Sequence, residues 1–270
     1  FTVGGSFTFT GSIKPEFKIS GLFDLKAKDF WVLKKKGLVP NKANSIINFK
    51  NGSIYGFVHF SSGGAYFDNC VAKSENNAMV VSGWIRDTGS VDLDIKSDLF
   101  SMNTYGRISE LPLKGTGSVS TKIIVDEKGD FKSDGQISLD NAELMEDYYM
   151  GTISSRVVYD GDILSFRDIK GKTGSSTYSG YTELDFDKIP GPTIKGHGIV
   201  SDAYSGDIYK LLKKEDRIPG APSGLLNAVV KFEGYPSWET IKLDSRLKLK
   251  NVEFFSERFD ELVANFVWDK

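Results

Sequence analysis

Between residues 241 and 250 the chain reads Ile-Lys-Leu-Asp-Ser-Arg-Leu-Lys-Leu-Lys, two interleaved sets of opposite character. Ile241, Leu243, Leu247 and Leu249 share the odd positions with Ser245, while Lys242, Asp244, Arg246, Lys248 and Lys250 hold the even ones. Successive side chains of an extended strand point to opposite faces. A period of two with this contrast therefore predicts a strand with one apolar and one charged side. The pattern recurs. Val91, Leu93 and Ile95 alternate with Asp92, Asp94 and Lys96; Phe17, Ile19, Phe23 and Leu25 alternate with Lys18, Ser20, Asp24 and Lys26. Less cleanly, it sets Phe7 with Phe9, Ile123 with Val125, Ile137 with Leu139, Val157 with Tyr159, and Leu184 with Phe186. Val230 with Phe232 and Phe266 with Trp268 complete the set. These residues form the expected apolar face.

Helix is nearly absent from the pattern. One candidate covers residues 207–215, after Ser205, with Asp207 early, lysines late and Ile208, Leu211 and Leu212 on one face. A weaker candidate covers 99–105. Short turn signals at Asn51-Gly52, Lys128-Gly129-Asp130 and Asp160-Gly161-Asp162 pair a residue tolerant of positive φ with glycine. Strands joined by such hairpins give an antiparallel meander.

The segments also repeat. Gly117-Ser-Val-Ser-Thr-Lys-Ile-Ile-Val125 is echoed by Gly224-Leu-Leu-Asn-Ala-Val-Val-Lys-Phe232. Gly135-Gln-Ile-Ser-Leu-Asp-Asn-Ala-Glu-Leu144 is echoed by Ser245-Arg-Leu-Lys-Leu-Lys-Asn-Val-Glu-Phe254, and Gly21 to Phe30 fits the same frame. Residues 1–270 are thus expected to be one continuous β-repeat region with roughly two and a half copies of a unit of about 110 residues. Sandwiches and barrels are closed units of fixed strand number, whereas a repeat propagates by adding strands. The expected fold class is all-β: an elongated, curled antiparallel sheet, a trough of repeated hairpins with one short helix. About 18 strands at ~4.8 Å would extend on the order of 85 Å.

Composition narrows the function. The formal charge is −2 with both signs interspersed, which argues against a nucleic-acid partner. Cys70 is the single cysteine, so no intrachain disulfide forms and no thiolate metal site can be built. No apolar run reaches the 18 residues of a membrane-spanning helix. The chain begins and ends within strand pattern, and is read as a piece of a longer one without its targeting or anchoring segment. His59 and His197 lack metal-binding spacing and are expected as exposed strand residues, and a Cys70–histidine nucleophile pair has no signature around it. Gly4-Gly5 and Gly115-x-Gly117 precede no helix, so they are strand or turn glycines rather than phosphate loops. Asp126, Glu127 and Asp130 mark a hairpin turn, and Trp84 and Tyr181 fall on the outer, charged face. No cofactor, metal or catalytic site is expected.

Two stretches carry a family resemblance. Gly224-x-Leu-x-Ala-x-Val-x-Phe-x-Gly234-x-Pro236, followed by Leu247-x-Leu-x-Asn251-x-x-Phe254, resembles the repeat of the AsmA-like and TamB family of Gram-negative envelope proteins. So does Tyr159-Asp-Gly161-x-Ile-Leu164-x-Phe166 with Ile169-x-Gly171-x-x-Gly174 and Tyr178-x-Gly180-x-x-x-Leu184. The helical segment at 207–215 departs from that repeat. The resemblance implies a periplasmic protein anchored in the inner membrane through a segment outside this sequence. Its curled β-taco would carry phospholipid acyl chains towards the outer membrane in a hydrophobic groove. It also implies, as an alternative, a structural scaffold that assists outer-membrane protein assembly through a partner barrel, without conducting lipid.

Overall fold

An alternating segment becomes a strand only where neighbours take up its backbone hydrogen bonds. The computed structural model describes residues 2–14, 16–33, 39, 45–74, 77–102, 113–144, 148–188, 191–211, 222–235 and 240–269. In chain order the first strands are β1 (Thr2–Ser12), β2 (Lys18–Leu33), β3 (Ser45–Ser61), β4 (Gly64–Ser74) and β5 (Asn77–Arg86). Then come β6 (Val91–Ser101), β7 (Leu113–Val125), β8 (Phe131–Leu144), β9 (Tyr148–Asp160) and β10 (Ile163–Thr173). After β11 (Ser176–Asp185) and β12 (Thr193–Tyr204) the helix α1 (Ser205–Leu211) intervenes, followed by β13 (Ser223–Gly234), β14 (Lys242–Phe254) and β15 (Glu257–Trp268). Each strand lies beside its sequence neighbours, so spatial order equals chain order in one open, antiparallel, 15-stranded sheet. The all-β class, the hairpin meander and the single short helix agree with the sequence.

Among the described residues the strands are fewer and longer than expected, up to 17 residues in β3. One backbone device recurs in them. Asp29 in β2, Asn69 in β4, Asn141 in β8, Asp168 in β10, Asp202 in β12 and Asn251 in β14 all have φ between 47° and 53°. Asn and Asp tolerate this left-handed region better than other residues with a side chain. Among the described residues no non-glycine position in an odd-numbered strand has a positive φ. At Asn69, Asp168 and Asp202 the register slips, the signature of a β-bulge, and β6 slips likewise between Ser97 and Phe100. A bulge adds one residue to a strand, bends it and resets which side chains face the core. Buried positions accordingly jump by three instead of two, from Leu139 to Ala142 and from Leu249 to Val252. The amide freed by the bulge finds a side chain on the next strand. Asn69 N–H donates to Ser82 Oγ (3.1 Å) and Asp202 N–H to Asn227 Oδ1 (3.1 Å).

Two local expectations are corrected. Asn51-Gly52 is not a turn but lies inside β3, where Gly52 pairs with Ala27 on one side and Ser74 on the other. Residues 99–101 belong to β6 rather than a helix; 103–105 lie outside the described residues. The slip in β6 spaces the inward positions Ser97 and Phe100 by three, which imitates a helical period. Gly129 and Gly161 do form hairpin turns, with φ of 90° and 64°. In the first, Asp126 Oδ1 accepts the N–H groups of Lys128 (2.8 Å) and Asp130 (3.0 Å). α1 begins at Ser205, two residues before the expected start, and residues 212–215 lie outside the described residues.

The chain divides into two compact units, one of Phe1–Ile137 with Tyr159–Gly161 and one of Ser138–Val158 with Asp162–Lys270. In the first, buried Phe23, Val58 and Cys70 are packed by Leu25, Ile54, Phe60, Ala65 and Phe67, all from β2, β3 and β4. In the second, Leu226, Ala228, Leu249 and Val252 are packed by Val200, Leu247, Phe254, Leu262 and, from α1, Ile208.

Candidate functional site: the apolar face

Residues directly opposite in an antiparallel ladder share a face, so the register decides which side chains meet. In the first unit Phe7 faces Phe23, Gly5 faces Leu25 and Gly11 faces Ile19. Phe9 lies two residues beyond Phe7 on the same side. Leu25 continues to Ile54, and Ile19 to Phe60. Further along, Ile95 faces Val81, Val91 faces Ile85 and Val125, and Leu93 faces Ile123. The Tyr159 ring meets that of Phe131 at 5.4 Å, and Ile137 is buried. In the second unit Leu184 faces Leu164 and Ile194, Val230 faces Ser245, and Phe232 faces Leu243. Leu247 faces Ala228, Leu249 faces Leu226, Trp268 faces Leu243 and Phe266 faces Ser245. Leu139 is fully buried in β8, and Val157 is half-buried in β9. Three expected members stand outside the strands: Phe17 and Ile241 immediately precede β2 and β14, and Phe186 follows β11 in a turn.

The ladder also shows members that alternation alone missed. Val58 faces Gly21 and Phe67, and Cys70 faces Val81. Their strands mix aromatic, glycine and polar residues, and only pairing with clearly amphipathic neighbours identifies the apolar side.

Burial along this face is uneven. Leu139, Leu184 and Leu249 are at most 4% exposed, whereas Phe7, Phe9 and Phe266 are 39%, 57% and 47% exposed. Leu93, Ile95, Ile123, Val125 and Val230 lie between, half-buried. The first unit's cluster comes from adjacent strands of the one sheet; among the described residues no second sheet packs over it. Glycines help large rings lie flat. A Cβ on Gly171 would sit 1.9 Å from Tyr178 Cζ, and one on Gly196 would sit 2.7 Å from Phe232 Cζ. Phe23, opposite Gly56, reaches Phe67 two strands away with ring centroids 6.0 Å apart.

In the second unit α1 lies on the apolar side, and Asp207 fastens it. Its Oδ2 accepts the N–H and hydroxyl of Ser175 and the hydroxyl of Ser176, each at 2.9 Å. Burial alone would raise the Asp207 carboxyl, but these donors and the Lys210 ammonium hold it below the usual carboxylate range. The carboxylate thereby clasps the β10–β11 turn. The Ser205 hydroxyl donates to Pro222 O and accepts from Gly224 N–H, both at 3.1 Å, which ties the start of α1 to β13.

The opposite face carries charge pairs, interspersed with exposed apolar side chains such as Leu22, Val263 and Val267. Lys122 pairs with Asp92 (2.9 Å), Lys248 with Glu261 (2.6 Å) and Lys195 with Glu183 (2.7 Å). The Lys195 ammonium and the Tyr181 hydroxyl hold Glu183 below its ordinary range. His59 is half-buried rather than exposed, because its Nδ1 bonds Ser20 Oγ (2.8 Å) and its ring packs on Phe57 and Tyr66. His197 is exposed beside Tyr181. Cys70 is fully buried on the other, apolar side, and burial pushes its thiol pKa up, so it is held as an unreactive thiol.

No family model, no curated protein and no solved structure matches the chain. Among the described residues no helix is long and apolar enough to cross a membrane.

Proposed function

We propose that the apolar face of this protein holds phospholipid acyl chains and passes them on, without chemistry. In this reading it acts in the periplasm as a bridge-like protein held to the inner membrane by a segment outside the sequence. The observation that carries it is the half-buried aliphatic row of Leu93, Ile95, Ile123 and Val125 on one face of a single sheet that is not closed. Exposing an acyl chain of ~16 methylenes to water costs about 13 kcal/mol at ~0.8 kcal/mol each. An open apolar surface offsets much of that cost and, unlike a deep pocket, lets the chain move on. The resemblance of the glycine-punctuated repeats to AsmA-like and TamB proteins supplies the compartment and the partners, an outer-membrane barrel among them.

One observation favours the scaffold alternative. In the second unit α1 already occupies the apolar side over Leu226, Ala228, Leu249 and Val252, so part of that surface serves the fold. The test is native mass spectrometry with lipid extraction on protein purified from a bacterial envelope. Leu93→Arg is the informative variant, because Leu93 is half-buried; an arginine at fully buried Leu139 would unfold the sheet instead. Phospholipid that co-purifies with the wild type and is lost from a folded Leu93→Arg protein is the expected result. A lipid-free wild type that folds cooperatively points to the scaffold.

A further inference from the structure

Some lysines on the face opposite the apolar one are neutralised across strands, as Lys195 is by Glu183 and Lys248 by Glu261. Lys170 and Lys172 are not: neither forms an ion pair among the described residues. Both lie in β10, alternating with Gly171 and Thr173, which are buried. Alternate residues of a strand leave it on the same side, so the two ammonium groups project together. The register sets Lys170 opposite Ser179 and Lys172 opposite Thr177.

These residues line a hollow of about 620 Å³ within the second unit. Besides Thr177 and Ser179 of β11, it takes hydroxyls from Ser138 of β8, Ser154 of β9 and Ser201 of β12. None of these five hydroxyls has a hydrogen-bond partner among the described residues. Thr152, also in the wall, differs in donating to Asp140 Oδ1 (2.9 Å). Among the described residues no carboxylate and no arginine lines the hollow. Register slips after Phe166 in β10 and after Val200 in β12 bend the strands beside it.

Two unpaired cations and five free hydroxyl donors, with no acid among them, are complementary to an anion. The donor set also narrows which anion. A planar carboxylate is matched by the fork of an arginine, whereas lysine binds phosphate as a point charge and leaves its other oxygens to single donors. The volume falls in the range of about 300–1,000 Å³ that takes a small molecule rather than a bare ion. We propose that this hollow binds a phosphate monoester, its phosphoryl oxygens held by Lys170, Lys172 and the surrounding hydroxyls. A soluble ester and the headgroup of a lipid such as phosphatidic acid share that chemistry. Ser138 and fully buried Leu139 point to opposite sides of β8, so the site stands apart from the apolar face and from acyl-chain binding.

Calorimetric titration with glycerol phosphate tests the soluble source, and co-sedimentation with phosphatidylcholine vesicles containing phosphatidic acid tests the headgroup. Binding of the first probe supports a soluble ester, and binding of the vesicles alone supports a lipid headgroup. Lys170, Lys172 and Ser179 are exposed, so their replacement is compatible with the fold. Lys170→Gln with Lys172→Gln should weaken binding by about tenfold or more, and Ser179→Ala by about fivefold. Lys231→Gln with Lys250→Gln removes the same charge from exposed positions elsewhere on this face and should leave affinity nearly unchanged. A protein that binds neither probe overturns the proposal. So does binding that Ser179→Ala leaves intact, or binding that the Lys231 and Lys250 changes weaken equally, since diffuse attraction between charged surfaces would then account for it.

Discussion

Asn251 adopts a φ of 53° within β14, and its neighbour Val252 is 1% exposed, so a single backbone setting steers a core side chain. A residue with a Cβ pays roughly 1–2 kcal/mol in this conformation, and glycine pays nothing there. Asn251→Ala is therefore expected to lower stability by about 1 kcal/mol, and Asn251→Gly to change it by less than half that. Urea denaturation of the three proteins decides it; equal losses for both variants would mean that the side chain, not the backbone, matters. At Asn69 glycine should restore less, because the Asn69 side chain also accepts from Ser82 Oγ (3.2 Å). The Asx residues were in plain view in the sequence, but their role was not. Alternation identifies a strand by constant phase, and a bulge changes the phase. Hence the segment around Leu139 reads as imperfect, and Leu99, 62% exposed on a strand, reads as helical.

At the scale of an element, α1 shows what local sequence does and does not carry. The presence of a short helix here and the placing of Ile208 on its apolar face follow from residue types alone, but its start at Ser205 does not. A helix of seven residues cannot persist by itself, so what holds it is tertiary, and Asp207 reaching the β10–β11 turn could not be read from spacing. Because the folded-state Asp207 pKa is depressed, its stabilisation is complete above the unfolded value of about 4. That stabilisation is lost as pH falls through the folded-state value. Asp207→Asn should consequently unfold at lower urea than the wild type at neutral pH, and the gap should narrow as pH drops below about 4. Paired urea titrations across that range measure this. A gap that does not depend on pH would assign the effect to shape rather than charge.

For the whole molecule, the all-β class was legible because amphipathic alternation is stated again by nearly every strand. The pairing of each strand with its successor was legible from short turns. The extent of burial was not, since the same leucine or phenylalanine serves a covered or an uncovered face equally well. With strands touching chiefly their sequence neighbours, stability is expected to be a sum of local terms rather than one indivisible core. Val58→Asp in the first unit and Leu249→Asp in the second each bury a charge and should cost about 3 kcal/mol or more. Native-state hydrogen exchange should show protection lost only in the unit that carries the change. Loss throughout the chain from either variant would show a single cooperative body.

The confinement, among the described residues, of left-handed Asn and Asp to even-numbered strands has a historical corollary. Neighbouring strands run in opposite directions, so removing or inserting one strand would reverse all that follow and carry their kinks to the opposite rim. Removing or inserting two leaves every later strand in its former orientation. The heritable unit of this sheet is therefore the hairpin, and lineages that lengthen or shorten it should differ by even numbers of strands.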